Sequence, residues 1–374
     1  MRVQGVSLPD VSDYRAPLPA GKWSQFFGAL SKRVSLVGIS RPELSGTDHY
    51  LSLARSFRPR KAPWLARAGF NLENVTKLNA MLERDLAGRR GSFDLIVQLQ
   101  TLCSPRSPTV EEPYVVYTDN TMALTQRLYR PSAPLSRSAT AAWEMFEAEV
   151  CHGAETVFTF SEFARRSMIE DYGCRPERVA AIGAGANQLL DSVQGRNYGG
   201  RRALFVGSPF ERKGGRTLMK AWRMVHERVS DAELILVGPG RDPAPGFGRG
   251  VSWRGRVDRT ELARLYRSAT VFVLPSLFEP WGHVFVEAMG YGLPCIGSDC
   301  CAMPELIDDG VSGRLVARGE QDPLADALTE LLTDPDKAGR MGRAGHARVL
   351  ERMTWDHVVD RLLSRLPPVG HPRR

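Results

Sequence analysis

The sequence predicts an α/β protein with two domains, each built around a parallel β-sheet. The chain has 374 residues, which is long for a single hydrophobic core. In both halves, short apolar runs alternate with helical patterns, as expected for parallel strands covered by helices on both faces. A polar, glycine-rich stretch at residues 188–201 has the composition of a linker. We therefore expect an N-terminal domain over residues 1–188, a C-terminal domain over residues 189–354, and a last helix with a tail over residues 355–374.

The first half contains four candidate strands, at residues 33–39, 93–99, 114–118 and 156–160. Leucine and methionine recur at helical spacing over residues 72–86, which predicts a helix, and residues 141–150 close another. Ser161 is suited to cap a third helix, which we expect to end near Gly173. These elements alternate along the chain and indicate a first α/β series.

The second half contains five candidate strands, at residues 203–207, 233–238, 251–255, 270–274 and 295–297. A helix ending near Val229 is expected between the first two strands. Helical patterns cover residues 320–353, and residues 355–366 are expected to form a final amphipathic helix. The second half is therefore a second α/β series.

The composition is that of a globular protein. Hydrophobic residues make up 43% of the chain and charged residues 25%, which excludes a mainly disordered protein. The sequence has no run of about 18 apolar residues, the length that a membrane span requires, and its first ten residues lack the apolar core of a secretory signal. The six cysteines show neither zinc-ligand spacing nor a disulfide framework, so reduced thiols and a cytoplasmic location are expected.

Two glutamates, Glu279 and Glu287, lie eight positions apart across an expected strand-to-helix turn. Both carboxylates are expected to border a crevice at the carboxyl end of a strand, where open α/β sheets bind ligands. Gly282, in the loop between them, allows close approach of the backbone. Helix amides attract an anion and carboxylates accept hydrogen bonds from hydroxyls, so the turn suggests a nucleotide sugar. The alternative is that both glutamates are solvated helix residues.

A second candidate site lies between a strand and a helix at residues 207–215. Gly207 and Ser208 begin this segment, and the adjacent cations Arg212 and Lys213 follow. Because cations and helix amides converge on phosphates at such turns, these two cations are the expected diphosphate ligands. They would stabilise the charge on a departing diphosphate in the absence of a metal ion. The alternative is a charged helix start that is exposed to water.

Two further segments follow the glutamate pair, a Gly-x-Pro at residues 292–294 and a Pro-Glu-x-Ile-x-x-Gly segment at residues 304–310. Together with the glutamates they resemble the retaining glycosyltransferases of family 4, within glycosyltransferase group 1. The resemblance implies the GT-B fold, in which two Rossmann-like domains face each other across a cleft and the last helix returns to the first domain. Ser208 stands where many relatives carry an arginine, so either Arg212 substitutes from nearby or Lys213 makes the contact alone.

The resemblance also implies roles for the residues of the motif. Glu287 would bind the ribose hydroxyls, and Glu279 would contact hydroxyls of the donor sugar. The backbone amides of Gly282, His283 and Val284 would lie near the sugar and the diphosphate.

Three residues outside the motif complete the expected site. By resemblance, the nucleobase would pack near Arg256 and Val257, in the connector that precedes a helix. Asp119 follows a candidate strand at a place where family members often carry a histidine or an aspartate that faces the transferred sugar. It would orient the acceptor or stabilise positive charge on the sugar; alternatively, it is an N-cap or turn residue. Residues 22–27 occupy the region of the glycine-rich loop found in relatives, which is another departure from the family pattern.

The leading hypothesis is a retaining hexosyltransferase. It would move a hexose or an N-acetylhexosamine from a nucleoside diphosphate sugar, of UDP or GDP type, to a hydroxyl acceptor. The sequence has no GxGxxG fingerprint, no Walker loop and no DxD motif at a strand end, so a dehydrogenase and an ATPase are disfavoured and no metal or other cofactor is expected. The alternatives are a non-catalytic nucleotide-sugar-binding protein of the same fold and a GT-B epimerase or phosphorylase.

Positive charge is concentrated in the first third of the chain. The formal net charge is +8, and residues 1–130 contain 18 Lys and Arg against 11 Asp and Glu. The densest basic cluster runs from Arg55 to Arg67 and is interleaved with aromatic residues and prolines. It is compatible with a solvated face, with an anionic acceptor or membrane surface, and least of all with nucleic acid. We expect no nucleic-acid partner, and peripheral contact with the inner membrane face is one option for this cluster.

Overall fold

The computed structural model describes residues 1–8, 22–44, 46–238, 240 and 248–366. The chain divides into two compact units. The first contains residues 1–183 together with the segment that begins at Trp355, and the second contains residues 184–354. The expected tail over residues 367–374 lies outside the described residues.

The first unit is a six-stranded parallel sheet with helices. Its strands are β1 (Arg2–Val6), β2 (Ser35–Ser40), β3 (Leu95–Leu99), β4 (Tyr114–Thr118), β5 (Thr156–Thr159) and β6 (Val179–Ala181). Its first seven helices are α1 (Lys22–Ser31), α2 (Gly46–Arg55), α3 (Lys61–Gly69), α4 (Leu72–Ala87), α5 (Met122–Leu128), α6 (Arg137–Gly153) and α7 (Glu162–Glu170). The sheet order is β2-β1-β3-β4-β5-β6. Every residue of β3 and β4 is buried, as expected for parallel strands covered on both faces.

The four strands predicted in this half are present as β2 to β5, and Ser161 caps α7 as predicted, with its side chain accepting from the amide of Ala164. The sequence did not predict β1, β6 or helices α1 to α3. In β1 the side chain of Gln4 is fully buried and donates to Ser40 Oγ over 3.0 Å, so a polar residue occupies a core position of a strand. That burial explains why an apolar pattern fails to mark β1.

A buried carboxylate fixes the start of α5. Glu147, on α6, accepts hydrogen bonds from the amide of Met122 (2.9 Å), from Thr101 Oγ1 (2.9 Å) and from the Tyr172 hydroxyl. Burial raises the pKa of Glu147, and these hydrogen bonds oppose that effect. The carboxyl group therefore satisfies a helix amide that has no partner within the helix.

The second unit is also a six-stranded parallel sheet. Its strands are β7 (Arg202–Val206), β8 (Glu233–Val237), β9 (Val251–Gly255), β10 (Val271–Leu274), β11 (Cys295–Ser298) and β12 (Gly313–Val316). Its helices are α8 (Gly215–Arg228), α9 (Arg259–Ser268), α10 (His283–Gly290), α11 (Met303–Leu306), α12 (Gln321–Thr333) and α13 (Pro335–Arg352). The five predicted strands are present as β7 to β11. The helical region predicted over residues 320–353 is two helices, because Pro335 begins α13 and Asp334 caps it through the amide of Lys337.

The stretch expected to be a linker packs on the second unit. The Arg196 guanidinium donates to the carbonyls of Tyr291 and Ala269 over 3.0 and 2.6 Å, and the Tyr198 hydroxyl donates to the carbonyl of Gly292 over 2.8 Å. The linker interpretation of residues 188–201 is therefore wrong. Composition marks the stretch as polar, but both Nη atoms of Arg196 donate to backbone carbonyls of the unit.

The last helix, α14 (Trp355–Ser364), belongs to the first unit. Trp355 is buried, and its ring meets Phe26 of α1 edge-on with the ring centroids 5.9 Å apart. At the other end of α1, Arg33 pairs with Asp356 over 2.7 Å and also with Asp360. Aromatic packing and ion pairs therefore join α1 to α14.

Candidate functional site

The candidate site lies where the strand order of the second unit reverses. The order is β12-β11-β10-β7-β8-β9, so β7 and β10 are neighbours from which the chain proceeds outward in opposite directions. Loops that leave such a point diverge and form a crevice at the carboxyl ends of the strands. The loop after β7, residues 207–214, and the loop after β10, residues 275–282, both begin there. Strand order thus brings together two segments that are far apart in sequence.

A buried ion pair joins these two loops. Lys213 Nζ donates to Glu279 Oε2, and both side chains are at most 10% exposed. Ser276 Oγ donates to the same oxygen over 3.3 Å. Arg212 Nη1 lies 3.9 Å from it and donates to the carbonyl of Phe278 over 2.8 Å. The three charged residues that the sequence assigned to the diphosphate and the sugar therefore form one cluster.

The cluster favours an anion. Burial acts to raise the pKa of Glu279, but the charges of Lys213 and Arg212 outweigh burial and hold that pKa below its usual range. Glu279 is therefore ionised at neutral pH and carries one negative charge against two cations. A net positive charge at the carboxyl ends of parallel strands is suited to bind a diphosphate.

Glycines allow the close approach of the two loops. Gly214 has a φ of +74°, and a Cβ atom there would lie 1.7 Å from the carbonyl oxygen of Pro275. Gly207 leaves room for Lys213, whose Cγ would lie 2.9 Å from an added Cβ. Ser208 follows Gly207 and is exposed. The position of the Lys213 side chain therefore depends on the absence of side chains at both glycines.

Gly282 ends the second loop and caps α10. Its φ is +94°, and a Cβ atom there would lie 3.2 Å from Glu279 Cγ. His283 and Val284 are the first two residues of α10, and both are half-buried. Their backbone amides belong to the first turn, where amides have no partner within the helix. The expected backbone donors therefore lie in the same loop-helix segment as Glu279.

Glu287 is held on α10 by two polar side chains that the sequence did not identify. Asn187 Nδ2 donates to Oε1 over 2.9 Å, and the Tyr266 hydroxyl donates to Oε2 over 3.4 Å. Burial raises the pKa of Glu287, and the two hydrogen bonds oppose this rise. The ring of Tyr266 stacks on that of Tyr291 with the centroids 5.2 Å apart. In the sequence, Tyr266 looks like an ordinary core aromatic residue. Only the fold shows that its hydroxyl reaches the Glu287 carboxylate.

Arg256 and Val257 do not lie at the reversal of strand order. They follow β9, the edge strand that is separated from β7 by β8, and Arg256 is exposed. The charge of Arg259, at the start of α9, acts on the Glu287 carboxyl and favours its ionised form. Packing of a nucleobase near Arg256 and Val257 remains a prediction.

Asp119 lies in the first unit, just after β4. Its carboxylate is 3.6 Å from Lys22 Nζ and 3.5 Å from Gln100 Nε2, and both charged side chains are largely buried. Lys22 Nζ also lies 4.5 Å from the centroid of the Trp23 ring. The segment that occupies the region of the family's glycine-rich loop thus places a cation beside Asp119.

Over the part of the chain that the structure describes, no group of three or more His, Cys, Asp or Glu residues could hold a metal ion. Within the same residues, no helix is both long and apolar enough to cross a bilayer.

Comparison with known proteins identifies the second unit. Residues 200–334 match the family model described as glycosyl transferases group 1. The second unit belongs to the group 1 glycosyltransferases. The chain as a whole has the GT-B fold. It is similar to the structure of Anabaena HepE in complex with UDP and glucose, with a TM-score of 0.68 and 15% identity, over 97% of this chain and 98% of that chain.

Two known proteins are similar to this chain in sequence. The α-maltose-1-phosphate synthase of Mycobacterium tuberculosis H37Rv is 33% identical over 182 residues, which cover 43% of this chain and 46% of that protein. The chain thus spans about half the length of this relative. The MMP α-(1→4)-mannosyltransferase of Mycolicibacterium hassiacum is 29% identical over 312 residues, which cover 78% of this chain and 74% of that protein.

Proposed function

We propose that this group 1 glycosyltransferase is a retaining, metal-independent enzyme that transfers a hexose or N-acetylhexosamine from a nucleoside diphosphate sugar to a hydroxyl acceptor. The observation that carries the proposal is the buried cluster of Lys213, Glu279 and Arg212 at the reversal of strand order. Its net positive charge suits a departing diphosphate, and stabilising the negative charge that develops on this diphosphate lowers the barrier to transfer. The relatives named above are a synthase of a sugar phosphate and a mannosyltransferase, and HepE was solved with UDP, which supports a nucleoside diphosphate sugar as the donor.

In this proposal each carboxylate has a separate task. Glu287, held by Asn187 and Tyr266, presents its oxygens to the ribose hydroxyls. Glu279, held by Lys213, contacts the donor sugar. The leaving diphosphate takes the proton of the acceptor hydroxyl, so no carboxylate of the chain has to act as a second nucleophile. Asp119 of the first unit is assigned to the acceptor.

The test is donor cleavage without an acceptor. The wild-type protein is incubated with UDP, GDP and ADP sugars in the presence of EDTA, and release of the nucleoside diphosphate is followed by chromatography. Proton NMR of the first-formed sugar gives its anomeric configuration. We expect one donor class to be cleaved with retention, and Lys213→Ala and Glu287→Ala to lose this activity.

Arg216→Ala serves as the matched control, because this arginine lies in the same segment but is exposed and pairs with Glu211. It should cleave the donor at the wild-type rate. Full activity in both Lys213→Ala and Glu287→Ala would contradict the assignment. Tight binding of a donor with no turnover would instead favour a non-catalytic binding protein.

A further inference from the structure

Two helices of the first unit expose large apolar side chains. The α2–α3 surface comprises α2, α3 and the turn between them. Tyr50 and Phe57 are 72% and 57% exposed, and Leu51 and Leu65 are also exposed. Single exposed apolar residues are common on soluble proteins, but four of them within sixteen positions form a patch.

The buried side of α2 and of the turn after it is polar. Ser52 and Ser56 of this segment are buried, and Ser52 Oγ accepts a hydrogen bond from Asn74 Nδ2 over 2.6 Å. The Trp64 indole donates to the carbonyl of Leu53 over 2.7 Å. On α2, Tyr50 and Leu51 lie on the exposed face. On α2, polar contacts face the unit and apolar side chains face solvent, which reverses the polarity of an ordinary surface helix. Helix α3 instead buries Ala66 in an apolar cluster and exposes Leu65.

The same surface is strongly basic. Residues 46–69 contain five Lys and Arg against one acidic residue, Asp48, which pairs with Lys77. Arg58 and Arg60 lie in the turn that follows Phe57, Lys61 begins α3, and all three are exposed. The structure pairs Arg55 with Glu73, which lies outside this range. Exposed aromatic and aliphatic side chains are therefore flanked by cations.

We propose that the α2–α3 surface docks on an anionic phospholipid bilayer. Apolar side chains flanked by cations match an interface at which apolar groups enter the acyl boundary and cations meet lipid phosphates. Single-stranded nucleic acid also binds basic aromatic surfaces, but it uses aromatic rings as stacking platforms. Leu51 and Leu65 provide no such platform, whereas both suit a bilayer. The proposal does not depend on the transfer reaction proposed above.

The test is cosedimentation of the 374-residue chain with extruded vesicles. We expect binding to vesicles that contain phosphatidylglycerol, little binding to pure phosphatidylcholine, and release at high salt. Each cation near such a surface contributes roughly a fivefold change in affinity. The triple variant Arg58→Gln/Arg60→Gln/Lys61→Gln should therefore bind roughly a hundredfold more weakly.

An apolar substitution tests the other half of the surface. Phe57→Ser should weaken binding to phosphatidylglycerol vesicles, whereas Met145→Ser, which changes a comparably exposed side chain on α6, should not. All the changed side chains are exposed, and circular dichroism checks that each variant is folded.

Three outcomes would overturn the proposal. The first is no binding of the wild-type protein to phosphatidylglycerol vesicles. The second is equal binding by the triple variant. The third is tighter binding to a single-stranded oligonucleotide that the triple variant abolishes, which would assign the surface to nucleic acid.

Discussion

Replacement of Lys213 by methionine should destabilise the second unit even without a ligand. The substitution keeps the side-chain volume but leaves the Glu279 carboxylate, 6% exposed, without its nearest cation. Breaking one side of a buried ion pair costs about 3–5 kcal/mol, because the remaining charge is desolvated. Arg212 Nη1 stays 3.9 Å from the same oxygen and compensates in part, so we expect the lower end, about 3 kcal/mol.

Calorimetry measures this cost as a shift in melting temperature. For a unit of this size, each kcal/mol lowers the melting temperature by roughly 2–4 °C, so Lys213→Met should lower it by roughly 6–12 °C. The double variant Lys213→Met/Glu279→Leu removes both charges and should recover most of the loss. Arg216→Met, which breaks the exposed pair with Glu211, should melt with the wild type. A melting temperature of Lys213→Met within error of the wild type, or no recovery in the double variant, would refute the assignment of a buried, energetically coupled pair.

Three further predictions test separate parts of the structure. Tyr266→Phe keeps the ring but removes a hydrogen bond to Glu287. Calorimetric titration with the preferred nucleoside diphosphate should show an affinity lower by roughly 2–12-fold, and an unchanged affinity would exclude a role of Tyr266 in positioning Glu287. Gly214→Ala should lower the melting temperature far more than Gly310→Ala, because both glycines have positive φ but only an alanine at position 214 would collide with a backbone atom. Equal losses would show that the φ angle alone sets the cost of the substitution. Burial raises the pKa of Glu147 above its ordinary 4.5, so the free energy of unfolding should fall as pH rises from 4.5 through the folded-state pKa, by at most ~1.4 kcal/mol per pH unit. Urea unfolding at several pH values should show no such fall for Glu147→Gln, and the same pH dependence in the variant and the wild type would contradict the prediction.

Two of the strands that the sequence predicts correctly, β4 and β10, consist almost entirely of apolar residues. In β4 and β10 every side chain is buried, so burial on both faces produces the apolar run that periodicity detects. In β1 the buried Gln4 interrupts that run, and its hydrogen bond to Ser40 depends on a strand 36 positions away. Helix α2 carries Ser52 inward and Leu51 outward, so its apolar face is not the face that packs.

For the candidate site, the sequence predicts the residue types but not their contacts. The residue types follow from local sequence, because Glu279 in the loop after β10 and Lys213 just before α8 both lie in expected strand-to-helix turns. Their contact does not, since Lys213 and Glu279 are 66 positions apart and meet only because β7 and β10 are neighbours. Asn187 likewise reaches Glu287 over 100 positions, from just before the stretch whose composition suggested a boundary between domains.

The two glutamates also differ in what their environments do to them. Glu279 is ionised because two cations outweigh its burial, whereas burial raises the pKa of Glu287, whose direct partners Asn187 and Tyr266 are neutral. Cations hold Glu279 in position and neutral donors hold Glu287, and both carboxyl groups keep acceptor capacity for hydroxyl groups. The order of strands therefore sets more than proximity. It places the basic loop after β7 next to Glu279 and leaves Glu287 on α10 between neutral donors. Under the function proposed above, the cluster around Glu279 would meet the diphosphate and the donor sugar, and Glu287 would meet the ribose hydroxyls.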